Sequence, residues 1–199
     1  MNVISFEGFE YSGKSTQINL LKKYFKKNNI KCSFTREPGG NKDLEKIRKI
    51  ILKSNFDNLS LILFFFASRF SLLSSIKPKN ILVFDRFFDS TYAYQKYTLK
   101  DKNLILELIE QIDKKFIPKL TFYFKIDKKT LLKRKKQRGI SNKFDKKYMG
   151  EFNRIQKNYN EMSKIKIYKR NFITIDASKT KEDIHQEVIK NIIKWKLIK

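Results

Sequence analysis

A loop near the N-terminus has the residue types and spacing of a phosphate-binding loop. Residues 8–15, GFEYSGKS, fit the pattern G-x-x-x-x-G-K-[ST] and lie between an apolar run and a helical pattern. Glycines let successive backbone N–H groups point at phosphate oxygens, and the following helix adds its positive N-terminal end. In such a loop the lysine contacts the β- and γ-phosphates, and the final hydroxyl ligates Mg²⁺. The sequence therefore predicts a nucleoside triphosphate site at Gly8, Phe9, Glu10, Tyr11, Ser12, Gly13, Lys14, Ser15 and Thr16.

An acidic residue follows a second apolar run. Residues 81–84 are apolar and are followed by Asp85 and Arg86. This arrangement resembles the second acidic strand of phosphate-loop proteins, whose carboxylate helps to organise Mg²⁺. We therefore expect Ser15 and Asp85 at the metal, with Arg86 as a further phosphate donor.

Arginines are scarce, since only eight of the 45 basic residues are arginine, so their positions are informative. The planar guanidinium holds phosphate or a carbonyl edge bidentately, which lysine cannot do. Arg36 follows a strand-like run in TREPGG, where an exposed turn with a surface salt bridge is the alternative. Phe65 and Arg69 have helical i, i+4 spacing and could stack on a base and donate to it. An aromatic run in a helix is, however, more often part of the core.

A strongly basic segment covers residues 128–147, with ten basic residues and a single acidic one. Such a run is most often a solvated face. In a phosphate-loop protein it could instead be a mobile lid whose cations neutralise charge on a transferred phosphoryl group.

Apolar strand-like runs and helical patterns alternate along the chain without a linker or repeat, which predicts one α/β domain over residues 1–199. The runs are nearly continuously apolar, as in strands covered on both faces. Such alternation indicates a five-stranded parallel sheet flanked by helices, with ligands at the carboxyl ends of the strands. The predicted strands are 2–6, 31–35, 81–84, 120–124 and 172–175.

Composition narrows the class of protein. The hydrophobic content of 41% argues against disorder, and the longest apolar stretch, 61–67, is short for a membrane helix. The lone Cys32 cannot form an internal disulfide, so we expect a cytoplasmic protein. The net charge of +25 favours nucleic acid or an anionic membrane as a partner, or else reflects a lysine-rich composition bias. We favour the bias and expect neither specific nucleic-acid binding nor membrane binding.

Together and in this order, the stretches FEGFEYSGKST, TREPGG, FFFASR, DRFFDSTYAYQ and TIDAS resemble the thymidylate kinase family over almost the whole chain. The resemblance implies a P-loop NTPase-type three-layer fold with a mobile lid at about residues 136–147. It also implies ATP- and Mg²⁺-dependent phosphorylation of dTMP to dTDP for dTTP synthesis. The family is typically a homodimer, and the apolar helical region between Leu59 and Leu73 is where we expect the interface.

The resemblance also assigns roles to matching residues. Arg36 and Arg86 would hold the dTMP phosphate, Phe65 would stack on thymine, and Arg69 would donate to its O4. Tyr94 would crowd the 2′ position and so prefer deoxyribose. The complete expected substrate set is Arg36, Phe65, Arg69, Arg86, Ser90, Tyr94 and Gln95, and the catalytic set is Glu10, Lys14, Arg86, Arg134 and Arg138.

Two departures from the family pattern concern the charge that assists transfer. Members that supply a catalytic arginine from the phosphate loop carry it where this chain has Tyr11, so we expect the charge from Arg134 and Arg138, as in bacterial members. The lid usually contains an Asp-Arg pair, where this chain has Asn142 and Lys143, and lysine lacks the guanidinium fork.

Two other functions remain open at this stage. The first is a kinase for another deoxynucleotide. A cytosine nucleotide is disfavoured as its substrate, because the amino group of cytosine is a hydrogen-bond donor and would face Arg69, which is also a donor. A nucleotide-binding switch or nucleic-acid-binding protein would use the loop and the basic surface, and predicts steeply salt-dependent DNA affinity. That alternative leaves Arg36, Phe65, Arg69 and Arg86 without a role.

Overall fold

Five parallel strands form one sheet, as the sequence predicts. The computed structural model describes residues 1–77, 80–96, 103–139, 148–167 and 169–198. The strand order is β2-β3-β1-β4-β5. Each strand runs one or two residues past its predicted carboxyl end, so several motif residues are the last residues of strands. The strands are β1 Asn2–Gly8, β2 Cys32–Arg36, β3 Ile81–Asp85, β4 Leu120–Lys125 and β5 Asn171–Asp176.

Helices cover both faces of the sheet, which gives the predicted three layers. Each face carries its own cluster of buried apolar side chains, and β1 contributes Ile4 and Phe6 to one cluster and Val3 to the other. All three are fully buried, and each such side chain contributes roughly 1.5–3 kcal/mol. The described helices are α1 Lys14–Lys27, α2 Lys42–Lys53, α3 Asn58–Ser75, α4 Phe88–Gln95, α5 Leu104–Glu110, α6 Lys128–Arg138, α7 Phe152–Met162 and α8 Lys181–Lys194.

The register brings the motif residues together at one edge of the sheet. Asp85 of β3 pairs with Phe6 of β1 on one side and with Arg36 of β2 on the other. Gly8 of β1 pairs with Phe124 of β4. The phosphate loop, TREPGG and the Asp-Arg pair therefore leave the sheet side by side.

Among the described helices, a left-handed N-cap residue distinguishes the helix that follows the phosphate loop. Asn41, Asp57, Asp127 and Thr180 each cap a helix with a side-chain oxygen, an interaction that contributes about 1 kcal/mol. Helix α1 begins instead at Gly13, which has a left-handed φ of 93° and no side-chain cap. Its first N–H groups are therefore directed at the position where an anion would bind.

Helix α3 is a longer apolar segment than the run 61–67 that the sequence pattern singles out. By length and composition alone, its 18 residues with a mean hydropathy of 1.4 suffice to cross a membrane. The criterion is weak, because core helices of soluble proteins also meet it, and 44% of this segment is buried. Arg69 in its middle forms a buried ion pair with Glu37.

The predicted lid only partly falls within the described chain. Residues 136–138 form the end of α6, and Gly139 ends that helix in the left-handed conformation, with a φ of 71°. Residues 140–147, which include Asn142 and Lys143, lie outside the described residues.

Candidate active site

The phosphate loop has a backbone that glycine makes possible. Gly8 has a φ of 140°, and a Cβ there would lie 2.6 Å from the backbone oxygen of Phe124. The Lys14 ammonium is buried within the loop, where its Nζ donates to the carbonyls of Gly8 and Phe9 at 2.9 and 2.8 Å. Burial and the nearby Arg86 lower the pKa of Lys14 to about 8, although the surrounding carboxylates oppose this shift. Two loop carbonyls therefore hold the ammonium of Lys14, the residue that is expected to contact phosphate.

Two cavities meet at this edge of the sheet. The larger, about 2050 Å³, is lined by loop residues from Glu10 to Thr16 and by α6. The smaller has about 670 Å³ of empty space, part of which is open to solvent. Six of the seven predicted substrate residues line the smaller one: Phe65, Arg69, Arg86, Ser90, Tyr94 and Gln95. Four residues line both: Glu10, Glu37, Arg48 and Arg86.

Arg86 lies at the junction of the two cavities and is fixed by several partners. Its Nη1 donates to Ser90 Oγ at 3.0 Å, and its Nη2 donates to Glu10 Oε1 at 2.5 Å. The Tyr94 hydroxyl donates to the other Glu10 oxygen at 2.8 Å. Burial alone would lower the pKa of Arg86, but Tyr94, Glu10, Tyr159 and Glu7 together raise it well above its ordinary value. The guanidinium is therefore a permanent charge in a preorganised position.

The smaller cavity contains a buried ion pair with unused hydrogen-bonding capacity. Arg69 Nε donates to Glu37 Oε2 at 2.7 Å, and the two side chains are only 2% and 6% exposed. Arg69 Nη2 donates to Thr91 Oγ1 at 3.1 Å. Within the described chain, Arg69 Nη1 and Glu37 Oε1 are buried and have no hydrogen-bond partner. Because unsatisfied buried polar atoms are rare, this donor and acceptor point to a polar ligand.

The same pair has unusual electrostatics. Burial raises the pKa of Glu37 to about 7, although Arg69 opposes the shift. The Arg69 guanidinium also lies over the ring of Phe66, 4.6 Å from its centroid, and over the ring of Phe87. Aromatic faces and one carboxylate therefore orient this arginine on three sides.

Helix α6 brings two arginines to the phosphate loop, and their catalytic role stays a prediction. Arg134 donates through Nη1 to the carbonyl of Tyr11 at 3.2 Å and through Nη2 to that of Ala177 at 2.7 Å. The Arg138 guanidinium lies 5.9 Å from the centroid of the Tyr11 ring. Both arginines line the larger cavity.

Ser15 and Asp85 also line the larger cavity, and both offer hard oxygen donors. Among the described residues, no three His, Cys, Asp or Glu side chains are grouped so that they could hold a metal. Mg²⁺ usually binds through one or two carboxylates together with waters and substrate phosphates. One hydroxyl and one carboxylate beside a phosphate loop therefore fit Mg²⁺.

Two predicted residues are placed differently from the others. Arg36 lies at the rim of the larger cavity, about half exposed, and pairs with Glu45 at 2.6 Å. The ring of Phe9 packs in the core against the rings of Tyr94 and Phe152, so only its backbone faces the loop. Their assigned roles stay predictions.

Two residues at the junction of the cavities, Glu37 and Arg48, are not among those that the sequence motifs indicate. The motif TREPGG assigns no role to Glu37, yet its side chain is buried against Arg69. Arg48 on α2 donates to the carbonyl of Pro38 at 2.7 Å and lines both cavities. The scarcity of arginine could have indicated Arg48, but nothing in the local pattern of Glu37 could have indicated its burial.

Comparison with known proteins gives one family. Residues 6–188 match the family model described as thymidylate kinase. A thymidylate kinase of Wolbachia pipientis from Culex pipiens is 37% identical over 97% of this chain and 96% of its own length. One from Rickettsia bellii is 32% identical over 96% and 93%. The crystal structure of thymidylate kinase from Ehrlichia chaffeensis matches with a TM-score of 0.72 and 30% identity, over 96% of this chain and 98% of that one.

Proposed function

The chain belongs to the thymidylate kinase family, and we propose that it binds dTMP in the smaller cavity and ATP on the phosphate loop. The reaction is ATP-dependent phosphorylation of dTMP to dTDP. The observation that carries the assignment of the two sites is their common wall at Arg86, Glu10, Glu37 and Arg48. Two nucleotides on either side of this wall would bring a donor and an acceptor phosphate together, as in-line transfer requires.

The unused atoms of the buried ion pair suit the thymine base. Arg69 Nη1 can donate to a ring carbonyl, and Glu37 Oε1 can accept from an N–H group or a bridging water. Phe65 lines the same cavity and offers a ring on which the base stacks. A base with an amino group in place of the carbonyl would present a donor to the donor Arg69 and lose this hydrogen bond.

The residues that are hydrogen-bonded around Arg86 would bind the sugar and the acceptor phosphate. The buried hydroxyl of Tyr94 stays neutral, because burial raises its pKa well above the ordinary value. It would crowd the 2′ position, while Glu10, which accepts from Tyr94 and Arg86, would approach the sugar hydroxyl. Arg86, helped by Arg36, would hold the phosphate of dTMP.

Transfer itself needs alignment and positive charge more than covalent help. Lys14 and the N-terminal end of α1 would hold the phosphates of ATP. Arg134 and Arg138 would neutralise the charge that develops on the transferred group, a role worth about 10³–10⁵ in rate in other phosphoryl-transfer enzymes. Ser15 and Asp85 would hold Mg²⁺, which would supply positive charge beside the phosphates of ATP.

We also propose that the protein is a cytoplasmic homodimer without a specific nucleic-acid or membrane partner. The region expected to form the interface contains three exposed apolar side chains on α3, Leu59, Leu63 and Phe64, and Ile50 on α2 is exposed as well. Exposed apolar groups of this kind are a common feature of interfaces. Leu61 and Phe66 of the same helix are instead buried within the protomer.

The test measures ADP production with Mg²⁺-ATP and, in turn, dTMP, dUMP, dCMP, dGMP and UMP. We expect strong preference for dTMP and loss of activity when EDTA removes Mg²⁺. Equal rates with every acceptor would overturn the proposed base and sugar contacts. For the metal ligands, D85N should raise the Mg²⁺ concentration needed for half-maximal rate, and an unchanged requirement would remove Asp85 from the site.

A further inference from the structure

Arg86 has a backbone conformation that needs support from its neighbours. Its φ is 68°, in the left-handed region, where a residue with a side chain costs roughly 1–2 kcal/mol. Both peptide groups beside it are held by β1. The Arg86 N–H donates to the carbonyl of Phe6 at 3.0 Å, and the next N–H, of Phe87, donates to Glu7 Oε1 at 2.6 Å.

The second oxygen of the same carboxylate reaches the other end of Arg86. Glu7 Oε2 accepts from Ser90 Oγ at 2.6 Å and from the hydroxyl of Tyr159 at 3.3 Å. Ser90 Oγ is in turn the acceptor of the Arg86 guanidinium. Glu7 is fully buried, so water does not compete for these hydrogen bonds. One carboxylate therefore fixes both the backbone after Arg86 and the hydroxyl that receives its guanidinium.

We propose that Glu7 is a positioning residue for the reaction, because it sets the left-handed backbone and the guanidinium direction of Arg86 toward the acceptor phosphate. The inference rests on the proposed function, in which Arg86 holds that phosphate. Glu7 acts through hydrogen bonds and does not contact substrate, since it lines neither cavity. Residues whose strain serves a function are typically held by surrounding groups in this way.

Geometry matters more than charge at this position. Burial and the charge of Asp89 raise the pKa of Glu7 to about 8, while Ser90, Arg86 and the Phe87 N–H oppose the shift. A protonated carboxyl keeps its acceptor for the Phe87 N–H, and glutamine has the same length, with one acceptor oxygen and an NH₂ group that can donate two hydrogen bonds. The hydroxyls of Ser90 and Tyr159 can accept from the amide. Aspartate keeps the charge but is one methylene shorter, so it cannot reach both sets of partners.

The test compares E7Q, E7D and E7L, with S5A as a control on the same strand. Ser5 is fully buried and hydrogen-bonds Thr121 on β4, away from Arg86. Steady-state kinetics gives kcat and the KM for each substrate, calorimetry gives dTMP affinity, and thermal unfolding gives Tm. We expect E7Q within about threefold of wild type, and E7D and E7L with dTMP KM raised about tenfold or more and ATP KM nearly unchanged. S5A should lower Tm and leave both KM values unchanged.

Three outcomes would overturn the inference. E7D behaving as wild type while E7Q loses dTMP affinity would show that charge is the requirement. A parallel rise in the KM of both substrates would show a general structural role. Wild-type kinetics in both E7Q and E7D would show that Arg86 does not need the hydrogen bonds of Glu7. The comparison of E7Q with E7D can still be made if E7L fails to fold. Wild-type protein that does not phosphorylate dTMP would refute the proposed function itself, whereas an active wild type with insensitive variants would refute only the role of Glu7.

Discussion

Methionine in place of Arg69 removes one partner of the buried Arg69–Glu37 ion pair that lines the smaller cavity. Arg69 and Glu37 are 2% and 6% exposed and are joined at 2.7 Å. Removing one partner of such a pair costs about 3–5 kcal/mol, because it leaves an uncompensated buried charge. For a chain of this size we expect R69M to lower Tm by roughly 6–20 °C.

The same change should have a separate effect on the acceptor substrate. Arg69 Nη1 is the buried donor that we assign to the thymine carbonyl. A hydrogen bond from a charged group contributes about 1.5–3 kcal/mol, so kcat/KM for dTMP should fall about 10- to 150-fold. The KM for ATP should change little, since Arg69 does not line the larger cavity.

The double variant E37Q/R69M separates these two effects, because it leaves no carboxylate to be neutralised. Burial raises the pKa of Glu37 from 4.5 to about 7 in the folded protein. A raised pKa means that the folded state binds the proton more tightly than the unfolded state between these values. The stability that this proton contributes is complete below about pH 4.5 and is lost as the pH rises through about 7. In R69M the pKa of Glu37 should rise further, which extends the loss to higher pH.

Thermal unfolding followed by circular dichroism at pH 5, 6, 7 and 8 measures the stability effects, and steady-state kinetics measures the substrate effect. We expect E37Q/R69M to recover most of the Tm lost in R69M at pH 8 and to show a flatter dependence of Tm on pH. Its kcat/KM for dTMP should remain low. Recovery of kcat/KM for dTMP to the wild-type value would refute the reasoning, because Arg69 would then serve only to neutralise Glu37.

Three further predictions concern the larger cavity and the α3 surface. Because burial lowers the pKa of Lys14 to about 8, kcat/KM for ATP should decline as the pH rises above about 8, and a flat profile to pH 9.5 would contradict this. R134A should lower kcat about 10²-fold or more, since it removes both a charge and the bridge between Tyr11 and the segment after β5. The control K133A removes the same charge from the exposed side of α6 and should keep kcat, so equal losses would assign the effect to net charge alone. L63E should convert a homodimer to monomer in light scattering, whereas I193E, an equally exposed apolar position on α8, should not. A dimer that persists in L63E would place the interface elsewhere.

The sheet and most of the site could be predicted because they depend on local patterns. Buried parallel strands have continuous apolar runs, and their carboxyl ends meet at one edge, so motifs after β1 and β3 had to converge. The i, i+4 spacing placed Phe65 and Arg69 in the same cavity. The strand ends were placed one or two residues early, because charged residues such as Asp85 and Arg36 broke the apolar pattern while still pairing in the sheet.

What could not be predicted depends on contacts between segments far apart in the chain. Glu37 appears in a turn sequence, and only its distance to Arg69, 32 residues later, makes it a buried partner. Arg36 follows a strand as expected, but Glu45 draws its guanidinium to the rim. Composition also leaves the environment of helix α3 open, because a long apolar helix can span a membrane or pack in the core of a soluble protein.

The network around Arg86 explains why two acidic residues, Glu7 on β1 and Glu10 in the phosphate loop, lie so close to a phosphate site. Glu10 faces the cavities and pairs directly with the guanidinium, whereas Glu7 is buried behind it and holds its backbone. Two carboxylates beside an anion site would repel phosphate if both were exposed and charged. Glu7 is buried outside the cavities, and burial raises its pKa. The charge of Glu10 is compensated by its ion pair with Arg86. The Arg86 guanidinium is therefore fixed from two sides, because Glu10 pairs with it directly and Glu7 holds the backbone behind it.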